Sequence, residues 1–106
     1  MKATIWHNPR CSKSREALAR LTAAGAEISV IDYLKAPPSR AELARLYARA
    51  GISPRQALRR DAPSFATDDA ALDAMAADPA LIERPLVETA KGVVIARPAA
   101  RIDPLL

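Results

Sequence analysis

The chain has 106 residues, half of them hydrophobic, and a formal charge of +4, which bounds it to one domain with a single modest core. No run approaches the ~20 apolar residues of a membrane span, and the start "MKATIWHNP" lacks a stretch of signal-peptide length, so the sequence predicts a cytosolic protein without a membrane partner. One cysteine and one histidine exclude an internal disulfide, a CxxC pair and a multi-thiolate zinc site, so no metal is expected.

Residues 3–6, "ATIW", read as a short buried strand running into the polar-Pro turn "HNP". From Ser12 to Ala24 the pattern is helical, with Ala17, Leu18, Leu21 and Ala24 on one face and Gly25 as the stop. "EISVIDY" at 27–33 alternates and is β-branched, a second strand with Ile28, Val30 and Asp32 on one face. A right-handed crossover would make these two strands parallel, with Cys11 at the loop–helix junction between them.

The middle is helical and punctuated. Ser39 with Glu42 predicts a capping box on a helix running through Leu43, Leu46 and Tyr47 to Gly51. Ser53-Pro54 opens a short helix through Arg59, "ATDDAALDAMAA" another with Asp68 and Asp69 at its positive end, and Asp78-Pro79 one more turn. "PLVET", "AKG" and "VVIA" predict an antiparallel hairpin turning at Gly92, and "AARIDPLL" one terminal helical turn. The expected class is therefore α/β: one thioredoxin-like domain over 1–106, with 1–34 and 84–106 as its core and 35–83 as a helical insert.

The chemistry centres on "HNPRCSKSR", where Cys11 is surrounded by His7, Arg10, Lys13, Arg15, Ser12 and Ser14. A helix N-terminus and nearby cations lower a thiol pKa and also make an anion site. Residues that resist burial crowd this cysteine, which argues for a nucleophile over an inert core thiol. A low-molecular-weight phosphatase loop is excluded, because the sixth position after Cys11 is Ala17 and not Arg. "CSKS" instead resembles the one-thiol form of a redox motif, whose second thiol comes from outside, glutathione being the cytosolic candidate. An oxyanion would need more distant cations. Arg55, Arg59, Arg60, Arg84, Arg97 and Arg101 are candidates that spacing alone does not separate, although Arg84 and Arg97 each directly precede a proline at an end of the hairpin. Bases dispersed among acids with few aromatics argue against nucleic-acid binding.

"HNPRCSKSR", "PPSRAEL", "GISPRQALRR", "LIERPLVE" and "IARP", in that order, resemble the glutaredoxin-coupled arsenate reductase family of thioredoxin-like fold, in an HNPRCSKSR branch. The resemblance implies Cys11 as nucleophile, Arg59, Arg84 and Arg97 as oxyanion-binding residues, and His7, Ser14 and Arg15 as residues that tune the thiolate. It further implies a cis peptide bond at Pro85, and arsenate, glutathione and glutaredoxin as substrate, cosubstrate and partner, with no bound cofactor. Arg10 and Ser12-Lys13 stand where the best-known members carry a small residue and Gly-Thr. Two other readings share the outline: a thiol oxidoreductase with a non-arsenate substrate, and a redox-sensing regulator that binds RNA polymerase. Such regulators typically use a CxxC switch and lack the full arginine set, whereas this chain has CxxS and all three arginines.

Overall fold

Ala3, Ile5 and Trp6 are buried on alternate sides of one strand, which makes β1 (Lys2–His7) interior to the sheet in the computed structural model of residues 1–106. This strand pairs in parallel with β2 (Glu27–Asp32) and antiparallel with β3 (Leu86–Thr89). A hairpin joins β3 to β4 (Gly92–Ile95), giving the order β2-β1-β3-β4. Helix α1 (Ser12–Ala23) connects the two parallel strands, so the β1–α1 loop lies at the carboxyl end of β1. Its end is a Schellman motif: Gly25 adopts φ 76°, its N–H donates to the Thr22 carbonyl at 3.0 Å, and the Ala26 N–H donates to the Leu21 carbonyl at 3.2 Å.

Each face of the sheet carries its own apolar layer. On one, Ala17 and Leu21 of α1 and Ile102 and Leu105 of the terminal segment pack on Ala3, Ile5 and Val87. On the other, Leu43, Leu46 and Tyr47 of α2 (Arg40–Ala50) and Leu72 and Met75 of α3 (Asp68–Ala77) pack on Trp6, Leu86 and Val93. This is the thioredoxin-like α/β fold, with helices inserted between β2 and the hairpin. No helix is long and apolar enough to cross a membrane.

Several expected details differ. The buried stripe of α1 is Ser14, Ala17 and Leu21, while Ala24 is the exposed C-cap residue, because Gly25 turns the chain away from the sheet there. On the face expected for Ile28, Val30 and Asp32, Val30 is 51% exposed, since β2 is an edge strand and its two faces are only partly covered. Ser39 caps α2 by accepting the Glu42 N–H at 3.1 Å, but the Glu42 carboxylate pairs with Arg45 instead of completing a box. The full capping box forms one element later, between Ser53 and Gln56, on a single 3₁₀ turn over Pro54–Ala57. The hairpin turn is Ala90-Lys91, one step before Gly92, which already pairs with Thr89. The terminal segment is longer than one turn: Ala99–Leu105 is 3₁₀ throughout, and a period of three aligns Ala99, Ile102 and Leu105 on the face that meets the core.

The short 3₁₀ turn has a consequence for function. Leu58 leaves it extended and pairs as an isolated antiparallel bridge with Ile82, while Arg59 N–H donates to the Leu81 carbonyl and Glu83 N–H to the Ala57 carbonyl, both at 2.9 Å. These bonds bring residues 57–61 alongside the entry to β3, and so Arg59 beside Arg84. Because Leu46 is fully buried between α2 and the sheet, Leu46→Ala is expected to cost about 2–5 kcal/mol, read as a lowered urea midpoint at unchanged m-value.

Candidate active site

Cys11 occupies the N-cap position of α1, with extended backbone (φ −93°, ψ 121°). The preceding turn is closed by the Cys11 N–H donating to the Asn8 carbonyl and by the Arg10 N–H donating to Asn8 Oδ1, each at 3.0 Å. Arg15, one turn into the helix, donates from Nη1 to the Pro9 carbonyl at 2.9 Å and ties the loop down from the other side. An N-cap side chain naturally faces the N–H groups of the second and third helical residues. Here these are Lys13 and Ser14, and the sulfur lies within their field without closing a regular cap hydrogen bond.

Sγ is 3.6 Å from Arg97 Nη1, which also donates to the Arg84 carbonyl at 3.3 Å. Burial pushes the Cys11 thiol up, but the Ser14 and Lys13 N–H groups, the Arg84 charge and the Arg97 contact together outweigh it and hold the thiol below its ordinary value. The result is a thiol poised toward the thiolate, the form that attacks electrophiles.

His7 and Ser14 act together and not as separate cations or donors to sulfur. His7 Nδ1 lies 2.6 Å from Ser14 Oγ, and Ser14 Oγ accepts the Asn8 N–H at 3.0 Å. Ser14 Oγ thus bonds both the ring and the Asn8 backbone N–H, its donor or acceptor role toward Nδ1 being set by the imidazole tautomer. Burial lowers the His7 pKa, Asp32 raises it and Arg15 lowers it further, with a net depression that favours the neutral ring. Positive charge near Cys11 at neutral pH therefore comes from arginines and the helix end, with none from His7. Ser12 is exposed, and the Ser14 hydroxyl is engaged by His7 and the Asn8 N–H.

Beside the sulfur, Arg59, Arg60, Arg84 and Arg97 line a cleft of about 170 Å³ together with Asp61 and Glu83. Four guanidinium charges against two carboxylates leave a net +2 at its walls. Arg84 is mostly buried, with its side chain 15% exposed. Its Nη1 donates to Glu83 Oε1 at 3.1 Å, while its Nε is buried without an acceptor. Nε of Arg59 is likewise buried without a hydrogen bond, 3.4 Å from Asp61 in an ion pair of poor geometry. An unpaired buried donor costs about 1–3 kcal/mol, and a tetrahedral oxyanion is the ligand that would satisfy several such donors at once. The Arg84–Pro85 and Arg97–Pro98 peptide bonds are both cis.

Arg10 and Lys13 stand outside the cleft. Lys13 pairs with Glu16 at 3.7 Å on the exposed face of α1, and Arg10 lines a separate depression with Asp32 and Lys35. Arg55 and Arg101 also lie outside it. Two residues that the sequence reading passed over belong to the neighbourhood. Tyr33 is fully buried with its phenol near the Asn8 side chain and within the fields of Arg84, Arg59 and Cys11; burial raises its pKa despite those cations. Glu83 joins Arg84 and Arg97, and only its place directly before "RP" in the motif hinted at it.

A thioredoxin-like fold whose one cysteine is activated at a helix start, with no second thiol in the chain, defines a one-thiol oxidoreductase. The chain belongs to the ArsC family, whose model matches residues 6–105. It is 44% identical to an arsenate reductase of Rhizobium meliloti, across 93% of this chain and 77% of that protein. To an arsenate reductase of Escherichia coli it is 42% identical, across 91% of this chain and 74% of that protein. The solved arsenate reductase of Vibrio cholerae superposes with a TM-score of 0.93 at 40% identity, covering 100% of this chain and 98% of that one.

Alkylation of Cys11 by iodoacetamide, followed against pH, is expected to titrate below the ~8.5 of an unperturbed thiol, and Arg97→Ala to move the midpoint upward. Ser14→Ala retains the backbone N–H and is expected to leave that midpoint nearly in place. It should instead cost about 1–3 kcal/mol in urea unfolding, because His7 Nδ1 and the Asn8 N–H lose their shared partner.

Proposed function

We propose that this protein is an arsenate reductase in which Cys11 is the nucleophile, Arg59, Arg84 and Arg97 bind the oxyanion, and glutathione and glutaredoxin supply the remaining thiols. The observation that carries the reading is the Arg97 guanidinium, which touches the Cys11 sulfur at 3.6 Å and lines the arginine cleft as well. One side chain thus links the nucleophile to the place where a tetrahedral anion would sit.

In this reading the Cys11 thiolate attacks arsenic, and a protonated arsenate oxygen leaves as water, giving a sulfur–arsenate bond. Glutathione displaces a second oxygen, again as water. A glutaredoxin thiolate then attacks the glutathione sulfur. The electron pair of the arsenic–sulfur bond to glutathione passes to arsenic, which falls from As(V) to As(III) as the glutaredoxin–glutathione disulfide forms. Hydrolysis of the remaining Cys11–arsenic bond releases arsenite and restores the thiol. One protein cysteine suffices because both oxidised thiols are external, as the single cysteine requires. The arginines hold the dianion and its intermediates in place, and such preorganised donors act without reorganisation cost. Dependence on glutathione assigns the reaction to the reducing cytoplasm.

The test is NADPH-coupled arsenate reduction in the presence of glutathione, glutaredoxin and glutathione reductase. Wild-type protein is expected to turn over and Cys11→Ser to fall to background; wild-type rates no higher than that control would sink the reading. Arg59→Ala and Arg84→Ala are each expected to lower kcat/KM on the order of 100-fold, with urea midpoints close to wild type.

A further inference from the structure

The arginine cleft contains a carboxylate where a site built only to attract anions would have none. The Glu83 side chain is 16% exposed, and its Oε1 takes all of its contacts to the arginines. These run from Arg84 Nη1 at 3.1 Å, the Arg84 backbone N–H at 3.3 Å and Arg97 Nε at 3.9 Å. Oε2 makes none of these bonds. Asp61, the other acidic wall residue, is 78% exposed and is solvated by bulk water, so it weighs little on a bound ligand. Glu83 therefore sits between the two arginines nearest the sulfur with one oxygen committed to them and one open to accept.

We infer that Glu83 is a specificity residue that reads whether a tetrahedral oxyanion still carries a proton. An ionised carboxylate only accepts hydrogen bonds. An oxyanion with an O–H can donate to Oε2 while its remaining oxygens accept from Arg59, Arg84 and Arg97. A fully deprotonated oxyanion presents only lone pairs, which face the carboxylate at close range and are repelled. Arsenate and phosphate keep at least one O–H at neutral pH, whereas sulfate has the same shape and keeps none. Specificity of this kind comes from a built-in repulsive element against the wrong ligand as much as from attraction to the right one. Without Glu83 the arginines would hold sulfate at least as well as hydrogen phosphate. The inference rests on the oxyanion reading of the cleft, and it identifies which members of that class are admitted.

The experiment uses protection of Cys11 from iodoacetamide, at fixed pH and at ionic strength held constant with sodium chloride, with phosphate and sulfate as non-reducible probes. In wild-type protein, phosphate is expected to protect at a concentration at least about tenfold lower than sulfate, because a site that bonds a ligand O–H discriminates against an analogue lacking it. In Glu83→Gln the ratio should collapse toward one, mainly through better protection by sulfate. Equal protection of wild type by the two anions overturns the inference, and so does protection by neither. A role limited to holding Arg84 and Arg97 in place would instead weaken both anions alike in Glu83→Gln, and that outcome overturns it as well. The wild-type ratio stands as a test even if the variant folds poorly. Arsenate turnover is measured separately, so a protein that shows the phosphate preference but reduces no arsenate would refute the substrate and leave the role of Glu83 intact.

Discussion

The start of α1 is the constraint on which the site depends. A sulfur at the N-cap position faces helix N–H groups that have no intrahelical partner, and it does so because of backbone geometry alone. Burial opposes the thiolate at Cys11, and the Ser14 and Lys13 N–H groups of the helix end are the foremost influences that counter it. The Arg84 charge and the Arg97 contact add to them, and both residues come from the far end of the chain. Activation therefore joins a local helix end to the folded sheet, in which β1 delivers the sulfur and the ends of the β3–β4 hairpin deliver the cations.

Bringing those cations together has its own cost. Two like charges 4 Å apart repel by about 4 kcal/mol at an effective dielectric near 20. The fold offsets this chiefly with Glu83, which pairs with both Arg84 and Arg97. The hydrogen-bonded crossing of residues 57–59 with 81–83 holds the arrangement from behind. A cleft made in this way is stable without a ligand yet retains buried guanidinium donors for one. The neutral His7–Ser14 pair has a quieter part, fixing the loop that carries Cys11 by satisfying polar groups under it.

Particular elements show how far local pattern reaches. The alternation around Ile5, the glycine after Ala24 and the paired β-branched runs near the C-terminus each correspond to an observed strand, helix end or hairpin. The misreadings share a cause. Alternation does not reveal that β2 lies at an edge, which leaves Val30 exposed, and the capping-box spacing does not reveal that Glu42 turns to Arg45 on its own helix and not back to Ser39. The pairing of His7 with Ser14, seven residues on, has no local signal either.

What the sequence determined by itself is the chemistry available: one thiol with no second in the chain, set at a helix start among bases, and a motif order that resembles a single family. Those properties depend on residue identity and short-range backbone preference, which neighbouring residues suffice to set. Only the tertiary structure decided which arginines reach the sulfur, that Arg10 and Lys13 lie outside the cleft, and that Glu83 stands inside it. The physical reason is distance. Charge acts over a few ångströms of space, and residues 11 and 97 come within that range only when β1, β3 and β4 pair in register.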